Sequence, residues 1–284
     1  MRIGRYGVRL VDAGRFRLDG GAMFGVVPKV LWEKKSPADE KNRIQMATNC
    51  LLLSGDNKNI LIDAGIGYKS DEKFAKIFAI DYSEYDLNRS LQNLGITHDA
   101  ITDVILTHLH FDHTGGATQI NDNGQVLPTF PKAKYYVQKS QLEWAKNPLE
   151  KDRASFLKEN FQPLEEADQL VVLEKAGELF PGIELILVDG HTRAQQLVLI
   201  HGDERTMLFA GDLVPTASHL PVPWVMGYDN EPIKTIQEKK EILGRAVHEN
   251  WLLFFEHDPE IRCVRVKEGE KGYEVDEVIE FVYE

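Results

Sequence analysis

Three histidines and an aspartate stand within six consecutive positions of this chain, in the segment T-H-L-H-F-D-H-T-G-G that covers residues 107–116. They are His108, His110, Asp112 and His113. Imidazole and carboxylate groups at this density are typical of sites for Zn, Fe, Mn or Co, and the segment lacks the cysteine thiolates of many structural zinc sites. Gly115 and Gly116 follow, and glycine lets the backbone pack closely against a site. The segment predicts a metal site rather than an ordinary polar loop.

Four apolar, strand-like runs each end next to a residue that can bind a metal. The runs are 104–106 before His108, 183–188 before His191, 207–210 before Asp212, and 252–255 before His257. Strand ends at one edge of a sheet converge in space, so we expect these side chains to meet. The total is five histidines and two aspartates. A tetrahedral ion needs about four protein ligands, and seven therefore predict two adjacent ions with positions left open for water.

The other histidines have different surroundings, and we predict that His98, His201 and His248 are surface residues. His219 lies in an apolar and aromatic loop after Asp212. It is either a packed loop histidine or a catalytic group, a substrate contact or proton donor at the rim of the pocket. Asp63 ends the apolar run 60–62 and is either a turn residue or the hydrogen-bond partner of a metal-binding histidine.

The remaining pattern predicts an α/β fold in a single domain over residues 1–284. Strand-length apolar runs alternate with helical segments, and hairpin turns are predicted at 55–59 and 201–204. One helix is predicted around Leu87, Leu91 and Leu94, ending at Gly95. Pro232 opens another helix, whose buried face includes Ile233, Ile236, Leu243, Ala246 and Val247. Segments 138–146 and 153–160 are also predicted to be helical.

Composition limits the classes of function. The formal net charge of −12 argues against binding to a nucleic-acid backbone, which usually requires a basic surface. We expect no membrane span, because no stretch approaches the roughly 18 apolar residues that one requires. The first residues lack the apolar core of a secretory signal, which favours the cytoplasm. Cys50 and Cys263 are then two reduced thiols.

The motif order resembles that of the metallo-β-lactamase superfamily. The matching residues are His-x-His-x-Asp-His at 108–113, Gly-His at 190–191, Gly-Asp at 211–212, and the late His257, so that the resemblance covers roughly residues 45–260. It implies a four-layer αββα sandwich with mixed sheets and with the metals at one edge. Residues 1–44 would then form N-terminal strands and an arm, residues 45–260 the metal-binding core, and residues 261–284 C-terminal strands.

The resemblance also distributes the seven side chains over two ions and a bridge. The first ion takes His108, His110 and His191, the second takes Asp112, His113 and His257, and Asp212 bridges both. The implied enzyme is a dinuclear hydrolase in which a metal-bridging hydroxide attacks a small ester, lactone or related substrate. Asp112 could also orient that hydroxide. Zinc is the expected metal, with Fe, Mn and Co as alternatives. The alternative function is a mononuclear iron oxidoreductase of the persulfide-dioxygenase type on the same fold.

Within the superfamily, the chain is most similar to the branch of quorum-quenching lactonases and methyl parathion hydrolase. The grounds are the spacers Leu109 and Phe111, His257, and the segment 20–29, which resembles the N-terminal arm of those hydrolases. Those lactonases carry a tyrosine three residues after the bridging aspartate, where this chain has Pro215. Three residues are candidates to replace that donor: Tyr68, Tyr228 and His219.

A further set of apolar residues has two interpretations: each residue singly is ordinary core or dimer interface, and as a group they form an apolar wall over the site that would suit a small-molecule substrate. Its residues are Phe24, Val26, Val27, Trp32, Leu220, Trp224 and Met226. Exposed apolar residues of the arm would also suit a homodimer.

Overall fold

A computed structural model describes residues 1–270 and 272–281. Its strands are β1 (Arg2–Ile3), β2 (Tyr6–Asp19), β3 (Arg43–Gly55), β4 (Lys58–Ile62), β5 (Asp103–Ile105), β6 (Thr118–Ile120), β7 (Val126–Pro128), β8 (Lys134–Gln138), β9 (Leu170–Leu173), β10 (Gly177–Phe180), β11 (Ile183–Val188), β12 (Gln195–Ile200), β13 (Met207–Phe209), β14 (Leu252–Phe254), β15 (Cys263–Gly269) and β16 (Gly272–Val278). Its α-helices are α1 (Gly20–Phe24), α2 (Lys29–Trp32), α3 (Glu72–Phe78), α4 (Leu87–Asn93), α5 (Phe111–Thr114), α6 (Lys139–Lys146), α7 (Gln162–Glu166) and α8 (Pro232–His248).

Within the described residues, the strands form two seven-stranded sheets and one small hairpin. The first sheet has the order β1-β2-β3-β4-β5-β8-β9, the second runs from β10 to β16 in sequence order, and β6 pairs with β7. In the first sheet β4, β5, β8 and β9 are parallel, and in the second β13 and β14 are parallel. The other pairs are antiparallel, so both sheets are mixed, as predicted.

The two sheets pack face to face, because alternate residues of a strand point to opposite faces. In β3, Leu51 and Leu53 belong to the core between the sheets, whereas Cys50 and Leu52 face the core beneath α4, α6 and α7. On the far side of the second sheet, α8 covers a third core. The order of layers is therefore helix, sheet, sheet, helix, which confirms the predicted αββα sandwich.

Up to Asp19, the N-terminal segment is part of the first sheet and not a separate arm. Strand β2 pairs with β3 from the Gly7–Ser54 pair to the Asp19–Arg43 pair. Only the stretch with α1 and α2 leaves the sheet. At the other end, β15 and β16 are the C-terminal strands predicted from the sequence, and residues 271 and 282–284 of that segment lie outside the described residues.

Three of the four predicted helices are found, and the fourth is not. Helix α4 ends just before Gly95, and α8 begins at Pro232. Residues 153–160 form two 3₁₀ turns, 153–155 and 158–160, rather than one helix. Ile233 was predicted on the buried face of α8 but is 69% exposed. It lies about 200° around the helix from the buried Thr235, on the opposite side. In the described part of the chain, no helix is long and apolar enough to cross a membrane.

Candidate metal centre

Both sheets contribute to the cluster at their common edge. Strand β5 leads into His108 and then α5, which begins directly after His110. In the second sheet, β11, β13 and β14 lead to His191, Asp212 and His257. All seven side chains predicted to bind metal are buried, with exposed fractions of 7% or less. The structure therefore brings together residues that are up to 149 positions apart in the sequence (257 − 108).

Four of these side chains form a first ligand group. The possible ligand atoms of His108, His110, His191 and Asp212 all lie within 4.8 Å of one another. His110 Nδ1 is 3.0 Å from His108 Nε2 and 3.1 Å from His191 Nε2. Asp212 Oδ2 is 3.1 Å from His191 Nε2. Nitrogen and oxygen atoms with free lone pairs thus point into one small space.

The second ligand group lies beside the first and consists of Asp112, His113 and His257. The Nε2 atoms of His113 and His257 are 3.2 Å apart, and both lie 3.8 Å from a carboxylate oxygen of Asp112. Asp212 Oδ1 is 3.0 Å from His257 Nε2, while its other oxygen contacts the first group. Asp212 thus stands between the two groups, where the resemblance places a bridging ligand.

Three histidines have a carboxylate or carbonyl partner on the ring nitrogen that points away from the cluster, whereas Nε2 of His110 is buried without a hydrogen-bond partner among the described residues. His191 Nδ1 is 3.0 Å from Asp229 Oδ1, and His257 Nδ1 donates to the carbonyl of Ala47 at 2.8 Å. His113 Nδ1 is 3.0 Å from Asp63 Oδ2. Such outer contacts fix the ring orientation and the tautomer of a metal-binding histidine. Of the two readings of Asp63, the geometry favours the hydrogen-bond partner.

The charges of the cluster fit divalent cations. The carboxylates of Asp112, Asp212 and Asp229 are buried, and no Lys or Arg pairs with them among the residues that the structure describes. Burial and neighbouring imidazoles lower the pKa values of His108 and His110 well below the usual range, so both are neutral and able to bind metal. Asp212 Oδ1 also lacks a hydrogen-bond donor among residues 1–270 and 272–281. Buried charges of this kind need a counter-ion or a metal.

The structure does not bring His219 to the cluster. Its ring is buried and stacked on Phe24, with 4.5 Å between ring centroids. His219 Nδ1 is 2.7 Å from Thr216 Oγ1, and Nε2 is 2.9 Å from the carbonyl of Met23. Burial lowers the pKa of His219 to about 3, so the ring is neutral. With both nitrogens occupied inside the protein, the predicted catalytic role of His219 has no geometric support.

A pocket of about 250 Å³ opens onto the ligand cluster. Its apolar wall consists of Leu18, Met23, Phe78, Phe111 and Met226. Of the residues interpreted as either wall or core, Met226 is the one that lines this pocket among the described residues. Among the other members, Phe24 and Trp32 are buried in the core formed with the arm, Leu220 is buried in the core under α8, and Val26 is 92% exposed.

Polar side chains complete the pocket. Lys151, Asp152, Ser155 and Tyr228 face it together with the ligand cluster. Lys151 Nζ donates to the carbonyls of Tyr228 and Asp229 at 2.7 and 2.8 Å. Tyr68, by contrast, donates to Asp86 at 2.8 Å and packs against Tyr82 rather than facing the pocket. A larger cleft of about 750 Å³ elsewhere, lined by Asp12, Arg89 and Arg262 among others, includes none of the seven cluster residues.

Two functional candidates were missed by the sequence analysis. Asp229 contacts His191. It was missed because an aspartate three residues before Pro232 is typical of the start of a helix. Glu256 contacts His113 from the end of an apolar strand. The signal for Glu256 was available, because an acidic residue that closes a run as apolar as 252–255 is expected to be buried and paired.

A model of the metallo-β-lactamase superfamily matches residues 43–244 of the chain. The chain belongs to this superfamily. The superfamily neighbours include the crystal structure of a probable metal-dependent hydrolase from Staphylococcus aureus, with 30% identity, a TM-score of 0.88 and full coverage of both chains. An N-acyl homoserine lactonase of Bacillus cereus is 26% identical over 263 residues, which are 88% of this chain and 92% of that one.

The structure of AidC, a dizinc quorum-quenching lactonase, matches with a TM-score of 0.81 at 20% identity, covering 100% of this chain and 97% of the other. The protein whose structure is described here, with its metallo-β-lactamase fold, is therefore a metal-dependent hydrolase. The relatives named here are hydrolases and give no support to the oxidoreductase alternative.

Proposed function

We propose that this protein hydrolyses small esters or lactones with two divalent ions held by the adjacent ligand groups. The observation that carries the proposal is the position of Asp212, whose two oxygens contact both groups at the base of a largely apolar pocket. The lactonase activity named for the Bacillus cereus relative supports the choice of substrate class.

The seven side chains would hold the ions as the sequence analysis predicts, with zinc as the expected metal. Such ions would supply a water of lowered pKa and a Lewis acid for the substrate carbonyl. The chain's own contribution is to fix the imidazoles through Asp229, Asp63 and the carbonyl of Ala47. The apolar wall takes the hydrophobic part of the substrate and excludes water from it.

Tyr228 is the pocket residue that we assign to the substrate oxygen. Burial raises its pKa to about 12, with Asp112 and Asp19 adding to the shift, so that the phenol keeps its proton at neutral pH. Its carbonyl is fixed by Lys151, and the next residue, Asp229, orients His191. The hydroxyl can therefore donate a hydrogen bond to an oxygen that gains negative charge, the role left open by Pro215.

Metal analysis and a substrate panel test the proposed function together. The protein is purified from its own host, its metals are counted per chain, and the same preparation is assayed with lactones, esters, thioesters and phosphotriesters. We expect about two ions per chain and metal-dependent turnover of a lactone or ester. One ion per chain, or activity confined to phosphotriesters, would contradict the proposal.

Replacing Tyr228 by phenylalanine should lower kcat for a lactone or ester by roughly a hundredfold, because one preorganised donor to the oxyanion is lost. Metal content should not change, since Tyr228 is not a predicted ligand. The matched control is Tyr68→Phe, which removes a hydroxyl that contacts Asp86 away from the pocket and should leave kcat close to wild type. Equal kcat values in the two variants would refute the assignment.

A further inference from the structure

We infer that Glu256 is a positioning residue for His113, and through it for the ion held by Asp112, His113 and His257. The inference rests on the proposed two-ion site. It concerns a residue that lies outside the seven predicted ligands and that is buried directly behind one of them.

Two carboxyl groups meet one imidazole nitrogen. His113 Nδ1 lies 2.9 Å from Glu256 Oε2 and 3.0 Å from Asp63 Oδ2, and all three side chains are fully buried. The single ring N–H cannot point fully at both oxygens. One acidic group at Nδ1 is enough to select the tautomer of His113. Because Asp63 already fills that role, the presence of Glu256 requires an explanation.

Asp63 has other donors, whereas Glu256 does not. The backbone N–H and the hydroxyl of Thr107 donate to Asp63 at 2.7 and 2.6 Å. Neither oxygen of Glu256 has a donor in good hydrogen-bond geometry within residues 1–270 and 272–281, and its one ion-pair contact there is His113. A buried carboxyl group without good partners costs stability, so its place beside a metal-site imidazole points to a role in function.

The backbone holds Glu256 and His257 as one rigid unit. The N–H of Asn49 donates to the carbonyl of Glu256 at 2.8 Å, and the N–H of Ala47 donates to that of His257 at 3.0 Å. This unit contacts both ring nitrogens of His113: Glu256 lies at Nδ1, and His257 Nε2 lies 3.2 Å from Nε2. The end of β14 thus fixes the imidazole from its back and from its metal-facing side.

Loss of the Glu256 carboxyl group should therefore weaken the binding of one ion and leave the binding of the other unchanged. Substitution of an outer partner typically costs 10- to 100-fold in metal affinity. The first ion has an independent outer contact, Asp229 with His191, at 3.0 Å. The contact between Asp229 and His191 therefore provides a matched control at the first ion.

The experiment measures the two zinc affinities of the metal-free protein by competition with a chromophoric chelator, in wild type, Glu256→Gln, Glu256→Met and Asp229→Asn. We expect both Glu256 variants to bind one of the two ions 10- to 100-fold more weakly, and Asp229→Asn to weaken the other. Glu256→Met replaces a buried acid by an apolar side chain of similar size. The thermal midpoint of the metal-free Glu256→Met protein should therefore stay at or above that of wild type.

Wild-type affinities for both ions in Glu256→Gln and Glu256→Met would overturn the inference and leave the two-ion proposal intact. An equal loss of both ions with a lower thermal midpoint, or failure of both variants to fold, would also overturn it, because Glu256 would then serve the fold. A wild-type chain that binds a single zinc ion would refute the two-ion proposal together with the inference.

Discussion

Asp212→Ala should leave the purified protein with at least one fewer ion per chain than wild type. Hydrolysis should fall by more than the roughly 10- to 100-fold expected from loss of an outer contact. The reason is that one side chain serves both ligand groups. Asp212 Oδ2 lies 3.1 Å from His191 Nε2, and Oδ1 lies 3.0 Å from His257 Nε2. The other carboxylate of the seven, Asp112, has ion-pair contacts within the described residues to His113 and His257, which both belong to the second group.

The measurement is elemental analysis after removal of free metal, with kcat determined on the same sample. Asp212→Asn serves as a control for shape, since it keeps the size of the side chain but removes its charge, and we expect it to lose metal as well. Thermal unfolding of the metal-free variants separates this effect from a folding defect. Full occupancy of both sites in Asp212→Ala would remove the bridge from the proposed centre.

Gly115→Ala should be strongly destabilising, by about 3 kcal/mol of unfolding free energy or more, and should reduce metal binding as well. A Cβ atom at Gly115 would overlap the carbonyl group of Ile66. The backbone of Gly115 is in the ordinary right-handed helical region, so the requirement for glycine comes from space and not from a special φ angle. The backbone on either side of the contact cannot easily move, because Ala64 N–H donates to the carbonyl of His113 at 2.8 Å.

Any shift that relieves this overlap displaces the chain two residues after His113, which is why stability and metal binding should fall together. Gly7→Ala is the matched control, since a Cβ atom there would lie at an ordinary van der Waals distance of 3.7 Å from the carbonyl oxygen of Ser54. Denaturant unfolding and metal content of both variants provide the measurement. A Gly115→Ala protein as stable as Gly7→Ala would show that the two segments are not in the close contact described here.

Much of the architecture could be predicted from local pattern. Strand-length apolar runs located β4, β5, β11, β13 and β14, because a short continuous apolar run is a property of neighbouring residues. Proline and glycine signals located the start of α8 and the end of α4. The prediction for Ile233 was wrong because the apolar residues of α8 are compatible with more than one buried face, and only packing on the sheet selects one of them.

The sequence by itself determined the fold class, the superfamily motifs and the seven residues that converge, since spacing within residues 108–113 and strand-end positions are local features. Only the tertiary structure decided that Tyr228, and neither Tyr68 nor His219, faces the pocket, and that Asp229 and Glu256 stand behind the imidazoles. These facts depend on how loops from distant parts of the chain pack together. Such contacts are set by the free energy of the whole core, which leaves no regular spacing in the sequence.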